Sequence, residues 1–314
     1  MNDLRHRPAA VGFHSGELAA QRRAGVHDQA ARLARMVGPG ELRVGIAAFL
    51  ADAACAAITA RDRSGRLWTS LLLGLPGFLR ASGPRALRID TPLPSADPLF
   101  RLPVGQPAGV IVIDFGTQRR VRINGVLTAS DDAGLTLEVD QAYGNCPQYI
   151  QQRHISIDEE PYHPARTPQY SGNILRKNDI RLIEFADTFF LGTTHPASGN
   201  DASHRGGPAG FVRVIPEGLW WPDYPGNNMF NSFGNLAVDP TAALLFVDFR
   251  IGSTLQLSGT ATVDWDAPVA GDDGGTGRRV QFTPWHVAAT SVPDLADDAH
   301  AAYPRNPPLA ESHH

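Results

Sequence analysis

The chain has 314 residues, 42% hydrophobic and 19% charged, enough to bury the core of one large domain or two smaller ones. A formal net charge of −4 excludes a dedicated basic nucleic-acid binder. Two cysteines, Cys55 and Cys146, make neither a disulfide framework nor a four-ligand zinc site, and Lys177, the only lysine, is the sole Schiff-base candidate.

The opening "MNDLRHRPAAVGFHSGE" lacks the apolar core of a signal peptide. No apolar run reaches the ~20 residues of a membrane span, so a soluble cytoplasmic protein is expected. Residues 15–37 are rich in Ala, Leu, Arg and Gln, start at a capping Ser15 and stop at "GPG" 38–40, which predicts a helix. A second short helix is expected over 41–52. From Ala53 the texture becomes β: "ACAAITARDRSGRLWTSLLLG" reads as strand, turn at Ser64-Gly65, strand. "AGVIVIDF", "RRVRINGVLTA" and "GLTLEVDQAY" follow as three more. Residues 155–172 are polar and proline-rich and suit a linker. Helical "RKNDIRLIEFAD" leads into a second set of strands, and the polar tail after Asp294 is expected to be loose.

The two sets of strands repeat each other. "ADAACAAITARDRSGRLWTSLLLGLPGFLR" (51–80) matches "ADTFFLGTTHPASGNDASHRGGPAGFVR" (186–213), and "AGVIVIDFGTQRRVRINGVLTA" (108–129) matches "AALLFVDFRIGSTLQLSGTATV" (242–263). The alignment pairs Asp52 with Asp187, Phe78 with Phe211, Arg80 with Arg213, Asp114 with Asp248 and Gly125 with Gly259. Each half is therefore expected to be a small antiparallel β unit behind a helix, closed toward a barrel because closure removes free edges. The expected organisation is an N-terminal helical segment (1–40), a first unit (41–153), a linker (154–173), a second unit (174–290) and a polar tail (291–314).

The segments "FHSGELAAQRRAGV", "YGNCPQYIQ", "DASHRGG" and "GNNMFNSFGNL", with the strands "PGFVR" and "GTATV", resemble the pyridoxamine 5′-phosphate oxidase-like superfamily, in its flavin-nucleotide-binding branch. That resemblance implies a mainly β fold with some α: two tandem FMN-binding split-barrel units forming a pseudo-dimer within one chain. FMN would lie in the groove between the units. The phosphate grip falls on Arg213, Asn227, Asn228 and Ser232, with Ser203, His204, Arg205 and Asn231 as further candidates and Arg120 or Arg122 reaching in from the opposite unit. No catalytic residue and no metal ligand is assigned. The residue types suit this ligand: Arg offers a planar donor fork to phosphate, and Asn and Ser add directed donors.

The implied function is FMN-dependent transfer of a hydride or electron pair between NAD(P)H and a small acceptor: oxygen, free flavin or an organic molecule. The alternative is a non-catalytic flavin or haem binder, for storage or delivery. Authentic pyridoxamine phosphate oxidation is disfavoured, because the chain ends "PPLAESHH" and lacks the family's C-terminal substrate clamp. No G-x-S-x-G elbow, Walker loop or H-E-x-x-H pattern supports acyl transfer, NTP hydrolysis or zinc proteolysis. Cys146 is expected to be structural, as are His14 and Glu17 in "FHSGE". A small-molecule substrate is the expected partner; nucleic acid and membrane are not, and a homodimer is left open.

The halves differ where the ligand would sit. Arg205 aligns with Leu71, Asn231 with Asp97, Ser232 with Pro98 and Asn227-Asn228 with Leu93-Pro94, so the first half has lost donors and gained a carboxylate. One FMN site per chain, centred on the second half, is expected.

Overall fold

The N-terminal helical sequence folds as three short pieces: α1 (Ser15–Arg23), α2 (His27–Ala31) and a 3₁₀ turn at Ala34–Val37. Gly25, at φ +70°, ends the first piece where the sequence pattern predicts one continuous helix. The computed structural model describes residues 12–37, 40–157, 167–267, 275–292 and 295–309. The expectations for residues 1–11 and for most of the "GPG" stop lie outside the described residues.

After α3 (Val44–Asp52) come β1 (Cys55–Arg61), β2 (Leu67–Leu73), β3 (Leu79–Gly83), β4 (Ala86–Ile89), β5 (Pro107–Asp114), β6 (Arg119–Asp131) and β7 (Gly134–Asn145). They form an antiparallel sheet in the order β2-β1-β5-β6-β7-β4-β3. Every strand sends apolar side chains into one cluster, from Ala56 and Leu72 to Leu79, Leu87, Val110, Ile123 and Leu137. The sheet must therefore curl round its own core.

The second half repeats this. After β8 (Gln152–Ile157), β9 (Thr167–Gly172) and α4 (Lys177–Phe185) come β10 (Thr188–His195), β11 (Gly199–Gly206), β12 (Arg213–Ile215), β13 (Gly218–Pro222), α5 (Asn231–Val238), β14 (Thr241–Asp248), β15 (Ser253–Asp264) and β16 (Arg279–Ser291). Their order is β11-β10-β14-β15-β16-β13-β12, the first sheet's order strand for strand. The chain is thus mainly β, with two tandem split-barrel units and an N-terminal helix.

The ladders also correct the alignment of the halves. Ala56 pairs with Leu72 and Val112, while Phe189 pairs with Arg205 and Phe246. With Asp114 and Asp248 both closing their β hairpins, Ala56 and Phe189 are counterparts. Arg205 then stands at the place of Leu72, not Leu71, and Asp187 at that of Ala54, not Asp52. A one-residue slip would turn Arg205 to the opposite face.

The two units share a third apolar cluster built by both, including Leu71, Ile111, Phe115, Phe190, Leu245 and Phe249. Gly109 lets β11 lie on β5: a Cβ there would sit 2.7 Å from Asp201 Cα. Phe115 and Phe249, equivalent by register, meet edge to face at 5.2 Å. The Arg153 guanidinium covers both rings, at 5.7 and 4.8 Å, and pairs with Asp187.

The expected linker and the tail expected to be loose both carry strands. β9 lies in the expected linker and pairs with β16; residues 158–166 are outside the described residues. The tail forms β17 (Leu295–Ala301), which pairs with β8. Their polarity reflects short, two-stranded or edge pairing, in which few side chains need burial.

Candidate functional site

Between the two units lies a cavity, partly open to solvent. β6 supplies Arg120 and Arg122, the segment after β7 supplies Cys146 and Tyr149, and β11 supplies Ser203, His204 and Arg205. The loop before α5 and the start of that helix add Asn227, Asn228, Asn231 and Ser232. Apart from Cys146 and Tyr149 these are the candidates named from sequence, and one of that set is missing. Arg213 does not line the cavity; it lies in β12, paired with Trp220, its guanidinium 5.9 Å from that ring. β11 and β12 are opposite ends of the sheet order, so the short loop between them carries the chain away from the site.

The opening glycines of that loop serve the cavity. A Cβ on Gly206 would collide with the Tyr149 carbonyl oxygen, and one on Gly207 would sit 2.7 Å from the Phe211 ring. Tyr149, Asn228 and Phe230, all lining the cavity, hold φ of +63°, +62° and +58°. Non-glycine residues take that left-handed conformation at a cost, and such strain concentrates at ligand sites.

The wall is cationic. Arg120, Arg122, Arg205 and Arg278 stand round the cavity, with Asp201 beside Arg122 and Asp223 beside Arg205 and Arg278. Arg122, 7% exposed, is the best anchored. Its Nη2 donates to Ser203 Oγ (2.6 Å) and its Nη1 to Asn231 Oδ1 (3.1 Å), with Asp201 Oδ2 at 2.9 Å. Burial disfavours its charge, but Asp201, Tyr143 and Glu17 together hold its pKa above the ordinary value. Asp223 accepts from Arg278 Nε at 2.9 Å and lies 3.6 Å from Arg205. Burial raises the pKa of both Asp201 and Asp223, against the pull of these arginines.

Arg120 has no carboxylate partner in this set. Burial, then Arg122 and Arg205, pull its pKa down to about 9. Its Nη1 lies 2.7 Å from His204 Nδ1. A guanidinium can only donate, so Nδ1 accepts and the proton of this imidazole sits on Nε2. Burial and three neighbouring arginines push the His204 pKa well below its usual value, so the ring is neutral. Nε of Arg120, Arg122 and Arg205, Nε2 of His204 and Nδ2 of Asn145 are buried without a hydrogen-bond partner. Each such orphan costs roughly 1–3 kcal/mol. The array offers unpaired donors suited to an anion with several further acceptor atoms.

Behind α5 stands α1. A Cβ on Gly234 would lie 2.5 Å from the Glu17 backbone N, so the two helices touch backbone to backbone. His14 and Glu17 form a capping box, as their structural reading requires: His14 Nδ1 accepts from Gly16 N, and Glu17 accepts from His14 N. His14 Nε2 also meets Asn235 Oδ1 at 3.0 Å, and Glu17 accepts from Asn231 Nδ2. Burial, then His195, lower the His14 pKa to about 4, while burial raises that of Glu17 to about 7.

The equivalent place in the first unit is filled with protein. Ser70 is the counterpart of Ser203 by register. Where Ser203 Oγ meets Ser232 Oγ at 3.0 Å, Ser70 Oγ donates to Asp97 at 2.5 Å. Gln256 replaces Arg122 and donates to Ser70 Oγ at 2.8 Å. Asp97 therefore stands where Ser232 does, one residue from the sequence alignment, and these three side chains are buried.

Sequence reasoning missed Asn145, Asp223 and Arg278. Asp223 and Arg278 stand in "WWPDYP" and "GRRVQF" as an ordinary turn acid and strand-start arginine, and only barrel closure brings them together. Cys146 lines the cavity half-buried, whereas Cys55 is buried with its thiol pKa pushed up to about 12. No helix among the described residues is long and apolar enough to cross a membrane.

Residues 180–298 match the family model for pyridoxamine 5′-phosphate oxidase. No curated protein matches the chain in sequence. Among solved structures, a candidate pyridoxamine 5′-phosphate oxidase of Lactobacillus delbrueckii is 16% identical, covering 36% of this chain and 92% of its own, with TM-score 0.31. The haem storage protein HutZ of Vibrio cholerae is 14% identical over 35% of this chain and 89% of its own, with TM-score 0.27. A Clostridium acetobutylicum protein of the pyridoxinephosphate oxidase family, related to general stress protein 26, is 13% identical over 36% and 79%, with TM-score 0.22.

Proposed function

We propose that this chain, which through residues 180–298 belongs to the pyridoxamine 5′-phosphate oxidase-like split-barrel superfamily, binds FMN between its two units and works as an FMN-dependent oxidoreductase. The observation that carries this reading is the set of orphaned buried donors on Arg120, Arg122, Arg205, His204 and Asn145 around one cationic cavity. A phosphate of roughly −1.5 to −2 charge answers the guanidinium excess, and charge-assisted bonds to arginine are the strong kind. Arg120, Arg122 and Arg205 would hold it, with Ser203, Ser232 and the amides of Asn227 and Asn231. Tyr149, Phe211 and Phe230 would flank an aromatic ring system.

When bound, the flavin supplies two-electron redox chemistry, and the protein supplies binding, orientation and electrostatics. The chain's own residues suit that division. His204, neutral and locked by Arg120, presents an Nε2–H donor rather than a titrating acid. NAD(P)H is the proposed reductant and a small molecule the acceptor. Haem ligation by His204 is disfavoured, because Nε2 carries the proton as long as Nδ1 accepts from Arg120.

Anaerobic mixing of the FMN-loaded protein with NADPH or NADH tests the enzyme reading. Loss of the bound flavin's visible absorbance supports it. Flavin that stays oxidised with both reductants, while still bound, overturns it in favour of a flavin carrier.

A further inference from the structure

Glu17 sits outside the FMN cavity, yet one unbroken set of hydrogen bonds joins it to the residues that would hold the phosphate. Its carboxylate accepts from Asn231 Nδ2, Asn231 Oδ1 accepts from Arg122 Nη1 at 3.1 Å, and Arg122 Nη2 donates to Ser203 Oγ at 2.6 Å. Ser203 in turn meets Ser232 at 3.0 Å. Glu17 lines a separate polar cavity on the far side of Asn231, with His14, Tyr143 and Asp201. Only 5% of Glu17 is exposed, so bulk water screens it little.

We propose that Glu17 is a positioning residue that couples anion binding to proton uptake: phosphate in the FMN cavity drives Glu17 to its neutral form. This rests on the FMN reading above. The carboxylate accepts from Asn231 and is favoured by the charge of Arg122, the two groups that would also face the phosphate. When the phosphate enters, a second negative charge joins a buried array, and the weaker acid of the pair gives way by protonation. Free Glu17 already has a pKa near 7, set by burial and opposed by Asn231 and the His14 backbone, so a modest push suffices.

Other charged or titratable groups face Glu17 from every element around it. His14 precedes α1 and lies 3.6 Å away, Arg122 comes from β6, Tyr143 from β7 and Asp201 from β11. His195 of β10 stacks on His14 at 4.2 Å. His14 has a pKa near 4 and burial pushes the Tyr143 hydroxyl further up, so neither titrates at neutral pH. Asp201 pairs with Arg122 at 2.9 Å, which opposes the upward push of burial on its pKa.

The sign follows from linkage. A ligand that raises a pKa binds more tightly to the protonated form, so FMN affinity falls as pH rises past the free-protein value. The dissociation constant should rise about fivefold to tenfold between pH 6.5 and 8.5, a window above the FMN phosphate's own pKa near 6. Glu17→Gln removes the charge and keeps one of the two acceptor oxygens. Its FMN affinity should change less than about twofold over that window and match the wild type's at pH 6.5. Riboflavin, lacking phosphate, should show no such pH dependence with either protein. As a measurement on the unmodified chain, calorimetry in buffers of different ionisation enthalpy should show proton uptake on FMN binding at pH 7.5. FMN that binds with parallel pH profiles in wild type and Glu17→Gln, or without proton uptake, overturns the coupling and leaves the cofactor site standing. No FMN binding by either protein overturns the cofactor reading and the coupling with it.

Discussion

Replacing Arg122 with Gln gives the second half-site the residue that the first already has, Gln256. The substitution leaves Asp201 buried opposite a neutral side chain, where it now has an ion pair at 2.9 Å. Breaking one partner of a buried pair typically costs about 3–5 kcal/mol. Asn124 Nδ2 still donates to Asp201 at 3.2 Å, which places the expected loss near the lower end, about 3 kcal/mol. For a unit of roughly 115 residues that corresponds to a drop of about 12 °C in Tm. Chemical denaturation at several pH values checks both size and sign. Burial already raises the Asp201 pKa, and loss of Arg122 raises it further. A carboxyl whose folded pKa exceeds its unfolded value opposes folding when ionised. The penalty is therefore full at high pH and fades as pH falls toward about 3.9. Adding Asp201→Asn should recover most of the loss. A loss below about 1 kcal/mol, or one that grows as pH falls, would refute the buried-pair reasoning.

Arg205→Ala should weaken FMN binding about 10- to 150-fold, the worth of a charge-assisted hydrogen bond, while riboflavin binding changes little by fluorescence titration. Arg213→Ala and Arg80→Ala should both leave FMN affinity unchanged, since Arg213 is outside the cavity and Arg80 pairs with Asp90 on the surface. Gly234→Ala should lower thermal stability by about 1–3 kcal/mol, because the new Cβ would sit 2.5 Å from both the Cγ and the backbone N of Glu17. Differential scanning calorimetry reads that loss directly.

The duplication was legible because apolar strands such as "VIVIDF" and "LLFVDF" repeat a buried pattern that barrel packing demands. Register was not. The turn between β1 and β2 is five residues long and that between β10 and β11 three, so an alignment by eye slips where gaps fall. That slip put Arg205 opposite Leu71 and Ser232 opposite Pro98. Arg213 falls elsewhere for a related reason: only six residues lie between it and Gly206, yet they link the two ends of the sheet order. Asp223 and Arg278 are 55 residues apart and meet only through the β13–β16 ladder, a contact invisible to motif or spacing. Glu17 could be read as a helix cap from "FHSGE", and that reading holds. Its second contact, to Asn231, depends on α1 packing against α5 and has no local signal.

Equilibrium titration of the purified, cofactor-stripped chain with FMN, followed by quenching of flavin fluorescence, tests the central claim most directly. One open cationic cavity and one counterpart filled by Asp97, Ser70 and Gln256 predict saturation at a single FMN per chain, with riboflavin binding at least tenfold more weakly. Saturation at two equivalents, equal affinity for riboflavin, or no quenching at all would contradict it.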